Sequence, residues 1–292
     1  LFKKMNSKIK QYFIYLINLP LYYVAFFIPQ NKDIWIFGAW FGNKYADNSK
    51  ALFEYVNKHD KKIKAIWLTT DKKIIIQLQK LKLKVYHTYS LKGYYYAAIA
   101  KFTFVSSGIY DINRFVSARS IKVQLWHGTP LKKIMLDSNK VNENKWLHFL
   151  KRLILPFGTR KYQYLLSPSE KINEKLFSAF GIENIIVKGY PRNDVLFRES
   201  FSNEKIILYL PTFRDNTSFN VFETLNIELL QSFCVRMNIK FYYKLHFADK
   251  NNLEISDLNI SKVTDEDLYQ LLSKTDILIT DYSSICFDYL LT

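Results

Sequence analysis

Residues 63–87, IKAIWLTTDKKIIIQLQKLKLKVYH, decide the fold. Ile63–Thr69 is an apolar run of strand length, Asp71–Lys82 has the period of a helix, and Lys84–His87 is a second short run. Strand, helix and strand in that order make one unit of a parallel sheet. Outward from it the alternation continues. Asp33–Phe37 precedes as a strand and Ser49–Lys58 as an amphipathic helix. The helix Leu91–Lys101 and the strands Phe102–Ser106 and Ile121–Trp126 follow. After them come strand Tyr164–Ser167, helix Glu170–Phe180 and strand Ile185–Lys188. Beyond the polar stretch Arg198–Glu204 the series restarts with strand Lys205–Leu210, helix Glu223–Met237 and strand Lys240–Leu245. Helix Asp265–Ser273, strand Asp276–Thr280 and a helix from Ser284 complete it. Two such series predict an α/β protein with two Rossmann-like domains facing a cleft: 31–202, and 203–292 as an incomplete second domain.

The chain has 292 residues and a net charge of +16. With 49% apolar and 17% aromatic residues, 8 Gly and 7 Pro, it is neither disordered nor collagen-like. Cys234 and Cys286 are too few for a disulfide scaffold or a four-cysteine zinc site. The charge is unevenly spread: residues 1–202 hold 34 basic and 13 acidic side chains, residues 203–292 hold 8 and 13. A nucleic-acid clamp is usually basic on both sides, whereas a protein lying on an anionic membrane needs one basic domain. The split favours the membrane and argues against nucleic acid. No Gly-x-Gly-x-x-Gly and no Walker loop occurs.

Residues 1–30 form a basic and aromatic segment. Gln11–Gln30 carries no charge, seven of its residues are Tyr or Phe, and Lys3, Lys4, Lys8, Lys10 and Lys32 flank it. Asn18 and Pro20 near its middle argue against a span, and no small-residue cleavage pattern follows. It reads as an interfacial membrane anchor, with a helix buried on the first domain as the plainer possibility. The chain starts at Leu1, with Met5 as the start or the chain a fragment, and it stops at Thr292 inside a helix-like run, which reads as truncation of the C-terminus.

The chemically promising residues fall at strand ends, where open parallel sheets bind ligands. Trp126-His127-Gly128-Thr129-Pro130 follows one strand, and Gly189-Tyr190-Pro191-Arg192-Asn193-Asp194 another. Pro211-Thr212-Phe213-Arg214, Lys244-Leu245-His246 and Thr280-Asp281-Tyr282-Ser283-Ser284 end three more. Each has a plainer reading alone. His127 could be structural, Ser283 and Ser284 helix caps, Asp194 a turn residue, Arg214 and Lys244 solvated charges. His59 and His148 read as surface residues, and His87 has no polar company. Asp265-Glu266-Asp267 suits a helix start better than a metal site, and no metal is required.

Taken in order, with Leu131-Lys132-Lys133 after Pro130 and Asp288 after Ser284, these motifs resemble the CDP-glycerol glycerophosphotransferase family, the teichoic acid primases and polymerases. Phe41-Gly42-Asn43-Lys44-Tyr45-Ala46-Asp47-Asn48 is similar to that family's N-terminal motif. The likeness runs from about residue 33 to 292, with Phe247 where the family has Pro. It implies a glycosyltransferase-B-like fold whose first domain takes the acceptor and docks on the membrane, and whose second takes a CDP-alditol. Glycerol phosphate or ribitol phosphate would pass to a hydroxyl of a lipid-linked polyprenyl-diphosphate saccharide or polymer, releasing CMP. The enzyme would be peripheral on the cytoplasmic face of the membrane, serving teichoic acid or capsule synthesis.

An alcohol attacking phosphorus needs a base of near-neutral pKa, and His127 is the candidate. The developing charge needs fixed donors. His246 would stabilise leaving or transferring oxygens. Arg192, Asn193, Thr212, Arg214, Lys244, Asp281, Ser283, Ser284 and Asp288 are the donor-side set. Lys44, Asp47, Asn48, Gly128 and Asp137 are the acceptor-side set implied by the resemblance. Cationic side chains would replace a metal, with no cofactor. Sugar transfer from a nucleotide sugar on the same fold is the alternative chemistry, and a non-enzymatic basic binding module is the other.

Overall fold

The computed structural model describes residues 7–138, 157, 162–197, 204–211, 226–244, 259–263 and 268–292. The chain divides into two compact units, 1–127 with 133–192, and 128–132 with 193–292.

The first unit is built on seven parallel strands: β1 Asn31–Gly38, β2 Lys64–Thr69, β3 Val85–His87, β4 Ala100–Val105, β5 Ile121–Gln124, β6 Tyr164–Ser167 and β7 Ile185–Val187. Their order across the sheet is β3-β2-β1-β4-β5-β6-β7. Its helices are α1 Ser7–Ala25, α2 Asp47–His59, α3 Lys72–Lys80, α4 Leu91–Ile99 and α5 Asn173–Phe180. Two separate cores cover the two faces of the sheet. Phe37, Phe53, Val56, Trp67 and Phe104 fill one, bringing in α2 and α3. Ile34, Ile36, Leu68, Ala97, Ala98 and Leu176 fill the other, bringing in α4 and α5. Burial on both faces is why these strands read as continuous apolar runs.

Local signals set the helix ends. The Asp71 carboxylate accepts from Lys73 N at 2.7 Å before α3, and Ser90 Oγ accepts from Gly93 N at 3.1 Å in α4. Gly181, at φ 64°, closes α5. Helix α4 stops at Ile99 rather than Lys101, because Ala100 turns extended and begins β4.

Helix α1 has two unlike sides. Tyr15 packs against Phe157 at 5.3 Å and Phe115 at 6.3 Å, and its hydroxyl accepts from Arg114 Nη2 at 2.9 Å. Tyr94 Oη donates to Asn18 Oδ1 at 2.9 Å, and Ala25 joins the core. The opposite side leaves Tyr12, Leu16, Ile17 and Val24 exposed, Leu16 at 63%, and Phe27 in the turn that follows is exposed at 85%. No helix among the described residues is long and apolar enough to cross a membrane.

The second unit has four parallel strands, β8 Lys205–Leu210, β9 Ile239–Tyr243, β10 Ile260–Lys262 and β11 Ile277–Thr280, in the order β10-β9-β8-β11. Its helices are α6 Ile227–Met237, α7 Leu268–Leu272 and α8 Ile285–Tyr289. It begins at Asn193, ahead of the polar stretch where the sequence divides, because Val195 and Leu196 pack with Leu208, Leu210 and Leu272. Strand β10 has no counterpart in the sequence reading. It is three residues long with one fully buried apolar side chain, Ile260, and pairing with β9 is what defines it. The expected helix starts at Glu223 and Asp265 lie outside the described residues.

Candidate active site

In the first unit β1 and β4 lie side by side at the centre, although β2 and β3 separate them in sequence. This is the point at which the winding reverses. The chains leaving the carboxyl ends of neighbouring strands there diverge and open a crevice. Trp40–Asn48 leave β1, Ser106–Asp111 leave β4, Trp126 and His127 leave β5, and Arg192 follows β7. The exits of β1, β5 and β7 meet around His127, and the exit of β4 binds that of β1 through Asp111.

The His127 ring is partly exposed and lies between two indoles. Its centroid is 3.9 Å from Trp126 and 5.3 Å from Trp40. Trp40 Nε1 donates to Asp47 Oδ2. Asp47 Oδ1 takes Arg192 Nη1 at 2.7 Å, and the same Nη1 donates to the His127 carbonyl at 2.7 Å. Arg192 and Asp47 are both largely enclosed, at 7% and 12% side-chain exposure. Loss of water around a paired charge strengthens the pair and makes breaking it costly. Asn48 extends the arrangement. Its amide donates to Trp126 O at 2.9 Å and Leu125 O at 3.2 Å, and its Oδ1 accepts from Arg192 N at 3.2 Å.

Desolvation lowers the His127 pKa below its ordinary value of 6.5, opposed by the Asp47 charge and assisted by Arg192. The neutral ring is therefore the favoured form near pH 7, as a proton acceptor requires.

The backbone here is held in costly conformations. Trp40, Phe41, Asp47 and Trp126 have φ of 48°, 57°, 61° and 56°. A bulky residue in the left-handed region costs on the order of 1–3 kcal/mol and persists only where surroundings enforce it. Asp111 supplies part of that enforcement. Its Oδ1 accepts from Phe41 N at 2.7 Å. Its Oδ2 accepts from Ser106, Ser107 and Gly108 N at 3.0, 2.7 and 3.1 Å. Burial pushes this carboxyl up to about 6 despite the four donors. Gly38 ends β1 against the same residue, where a Cβ would lie 2.3 Å from the Asp111 carbonyl oxygen.

Of the acceptor-side set, Asp47 and Asn48 join His127, and the Lys44 ammonium stands 5.0 Å from the Trp40 ring centroid. Asp137 is elsewhere in the unit, accepting from Ser178 Oγ at 2.6 Å. Gly128 belongs to the second unit.

The second unit has its own reversal point, between β8 and β11. Pro211 leaves β8, Lys244 leaves β9, and Asp281, Ser283 and Ser284 leave β11, all at carboxyl ends. Thr280 Oγ1 donates to Leu210 O at 2.6 Å, tying two of these exits together. Ser284 makes no side-chain cap to α8, and Ser283 Oγ accepts weakly from Ile285 N at 3.4 Å. Asp288 is buried and holds neighbours instead of facing out: Asn193 Nδ2 donates to its Oδ1 at 3.0 Å and Tyr269 Oη to its Oδ2 at 2.7 Å. Thr212, Arg214 and His246 lie outside the described residues. Among the described residues no three His, Cys, Asp or Glu side chains group as a metal site requires, and Asp265–Asp267 lie outside them.

The family model for CDP-glycerol:poly(glycerophosphate) glycerophosphotransferase matches residues 21–292. The chain belongs to this family. As a glycerophosphotransferase-family enzyme it is 30% identical to a teichoic acid poly(glycerol phosphate) polymerase of Bacillus spizizenii, over 90% of this chain and 72% of the relative. It is 29% identical to a teichoic acid glycerol-phosphate transferase of Staphylococcus aureus, over 89% and 72%. A solved structure of the wall teichoic acid polymerase TagF superposes with a TM-score of 0.70 at 24% identity, covering 94% of this chain and 71% of that one. That likeness bears on the fold.

Trp40 and Asp111 were not legible as site residues in this glycerophosphotransferase sequence. Trp40 precedes the first motif by one residue. Asp111 is a lone carboxylate in an apolar neighbourhood, and its significance comes from backbone N–H groups that leave no trace in residue identities.

Proposed function

We propose that this chain moves glycerol phosphate from CDP-glycerol to a hydroxyl of a lipid-linked acceptor, releasing CMP, in teichoic acid synthesis. The observation that carries the reading is His127. It sits at the carboxyl end of β5, between two indoles, in a chain of the glycerophosphotransferase family, with its neutral form favoured. The acceptor hydroxyl gives its proton to the imidazole as its oxygen bonds to the β-phosphorus. The bridging P–O bond breaks, and its electron pair leaves with CMP.

Charge accumulates on the transferred phosphoryl oxygens and on the leaving phosphate, and fixed donors lower its energy. Lys244, Ser283 and Ser284 at the strand ends of the second unit suit that role, with Thr212, Arg214 and His246 from the resemblance. Asp281 fits the donor's ribose or cytosine edge. Lys44 suits the acceptor's phosphates. The outer face of α1, with the lysines before it, fits a peripheral position on the inner face of the membrane.

The test is product analysis by mass spectrometry. Purified protein is given CDP-glycerol, CDP-ribitol or a nucleotide sugar with a synthetic lipid-linked acceptor. The expected result is CMP and an acceptor heavier by one or more glycerol phosphate units. Ribitol phosphate addition alone would reassign the alditol. Release of a nucleoside diphosphate from the sugar donor, with no CMP, would overturn the reading.

A further inference from the structure

Three strand-end segments far apart in sequence are tied to one carboxylate and its neighbouring amide. Asp47 holds the Trp40 indole with one oxygen and Arg192 with the other, while Arg192 also holds the His127 carbonyl. Asn48 holds the carbonyls of Leu125 and Trp126 and the backbone N–H of Arg192. Four of these six bonds end on His127, on Leu125 or Trp126 just before it, or on the Trp40 indole beside its ring, and the other two join Arg192 to Asp47 and Asn48. An arginine in this motif invites assignment as a phosphate ligand. Here its Nη1 is spent on the first unit's own groups, and the side chain is only 7% exposed. Asp47 adopts its left-handed backbone, at φ 61°, and so turns its carboxylate onto Trp40 and Arg192.

We propose that Asp47, Asn48 and Arg192, together with Trp40, are positioning residues that act through His127, and that Arg192 is not a ligand of the donor phosphates. They fix the backbone on both sides of the histidine and clamp its ring between two indoles. The imidazole then presents one nitrogen to the acceptor hydroxyl in a single orientation. Misplacing a reacting group by about 1 Å costs about 10²-fold in rate, so such a bracket has a measurable consequence. The inference rests on the proposed transfer reaction for its kinetic arm only.

The first arm is a kinetic cycle of His127→Ala, Arg192→Ala and the double variant, with CMP release and CDP-glycerol affinity measured on each. Arg192→Ala is expected to lower kcat by about 10²-fold while donor Kd stays within about twofold. In the His127→Ala background it should change nothing further, because the group it positions is gone. Arg192→Lys, which keeps one charged donor but not the planar fork, should recover part of the loss. Donor affinity falling more than about tenfold at unchanged kcat, or an additional loss in the His127→Ala background, would make Arg192 a phosphate ligand and overturn the proposal.

The second arm needs no turnover. The His127 ring C–H resonance, assigned by its absence in His127→Ala, is titrated by NMR. Asp47→Asn should move its pKa down and Arg192→Ala or Arg192→Lys should move it up or leave it nearer wild type, in that order. Identical titration in all of them would sink the bracket. If wild-type protein releases no CMP, the transfer reading fails and this arm still decides. If Arg192→Ala does not fold, Asp47→Asn and Arg192→Lys decide by the same criteria.

Discussion

His127 can accept a proton only while its ring is neutral, and its surroundings keep it so. Desolvation between Trp40 and Trp126 outweighs the pull of Asp47. The acid limb of the kcat/KM profile should therefore fall below pH 6.5, the ordinary histidine value. His127→Ala should lower turnover by about 10²–10⁴-fold with CDP-glycerol binding retained, checked by CMP release and equilibrium binding. Weak donor binding with normal turnover at saturation would contradict the assignment of this residue as the base.

Asp111 acts on stability. Four backbone N–H groups converge on its two oxygens, so an asparagine there must aim an N–H₂ at donors. Asp111→Asn should cost about 1–3 kcal/mol in urea unfolding, the range for leaving a buried polar group unpaired. Its carboxyl lies at about 6 when folded against 3.8 ordinarily. Folding thus takes up a proton in that window. The carboxyl's contribution is fully present below 3.8 and is lost as pH rises through 6. Asp111→Asn should lack that slope.

At the scale of the element, α1 carries a division of labour along its own surface. Tyr15, Asn18 and Ala25 commit one side to the first unit. Leu16, Ile17 and Val24 stand on the other, exposed. One side packs, as the plainer reading of the sequence expects, and the other is apolar and open, which is the side a membrane contact would use. Replacing Leu16 and Ile17 by Asp should weaken co-sedimentation with anionic vesicles by about tenfold or more, since each buried aliphatic side chain contributes about 1.5–3 kcal/mol. The melting temperature should change little, as neither residue packs inward. Unchanged partitioning would remove α1 from the membrane contact.

Across the whole molecule, the excess of basic over acidic side chains is confined to residues 1–202, which hold 34 basic and 13 acidic side chains. Electrostatic attraction to an anionic bilayer fades as the Debye length shrinks from about 10 Å at 0.1 M salt to about 3 Å at 1 M. Vesicle binding should weaken progressively over that range and keep a residue of apolar affinity through α1. Binding indifferent to salt would mean that the basic unit does not face the lipid.

The alternation of apolar runs and helical periods was enough to read two parallel α/β series, because strands buried on both faces must be apolar throughout. The strand-end motifs marked His127 and Arg192, because ligand sites in such sheets fall at carboxyl ends, and the family resemblance added Asp47 and Asn48 on the acceptor side, with Arg192 placed on the donor side. What residue identities could not carry was who holds whom. Strand order brings β1, β4 and β5 together from distant parts of the chain. Only that pairing lets Asp111 gather backbone N–H groups, sets the Trp40 indole beside the His127 ring, and turns Arg192 toward Asp47. Such contacts depend on backbone groups common to all residues and on left-handed conformations of Trp and Asp that no composition rule favours. The sequence by itself determined the layers and the candidate base. The tertiary structure decided that the charged and amide side chains around that base bind one another.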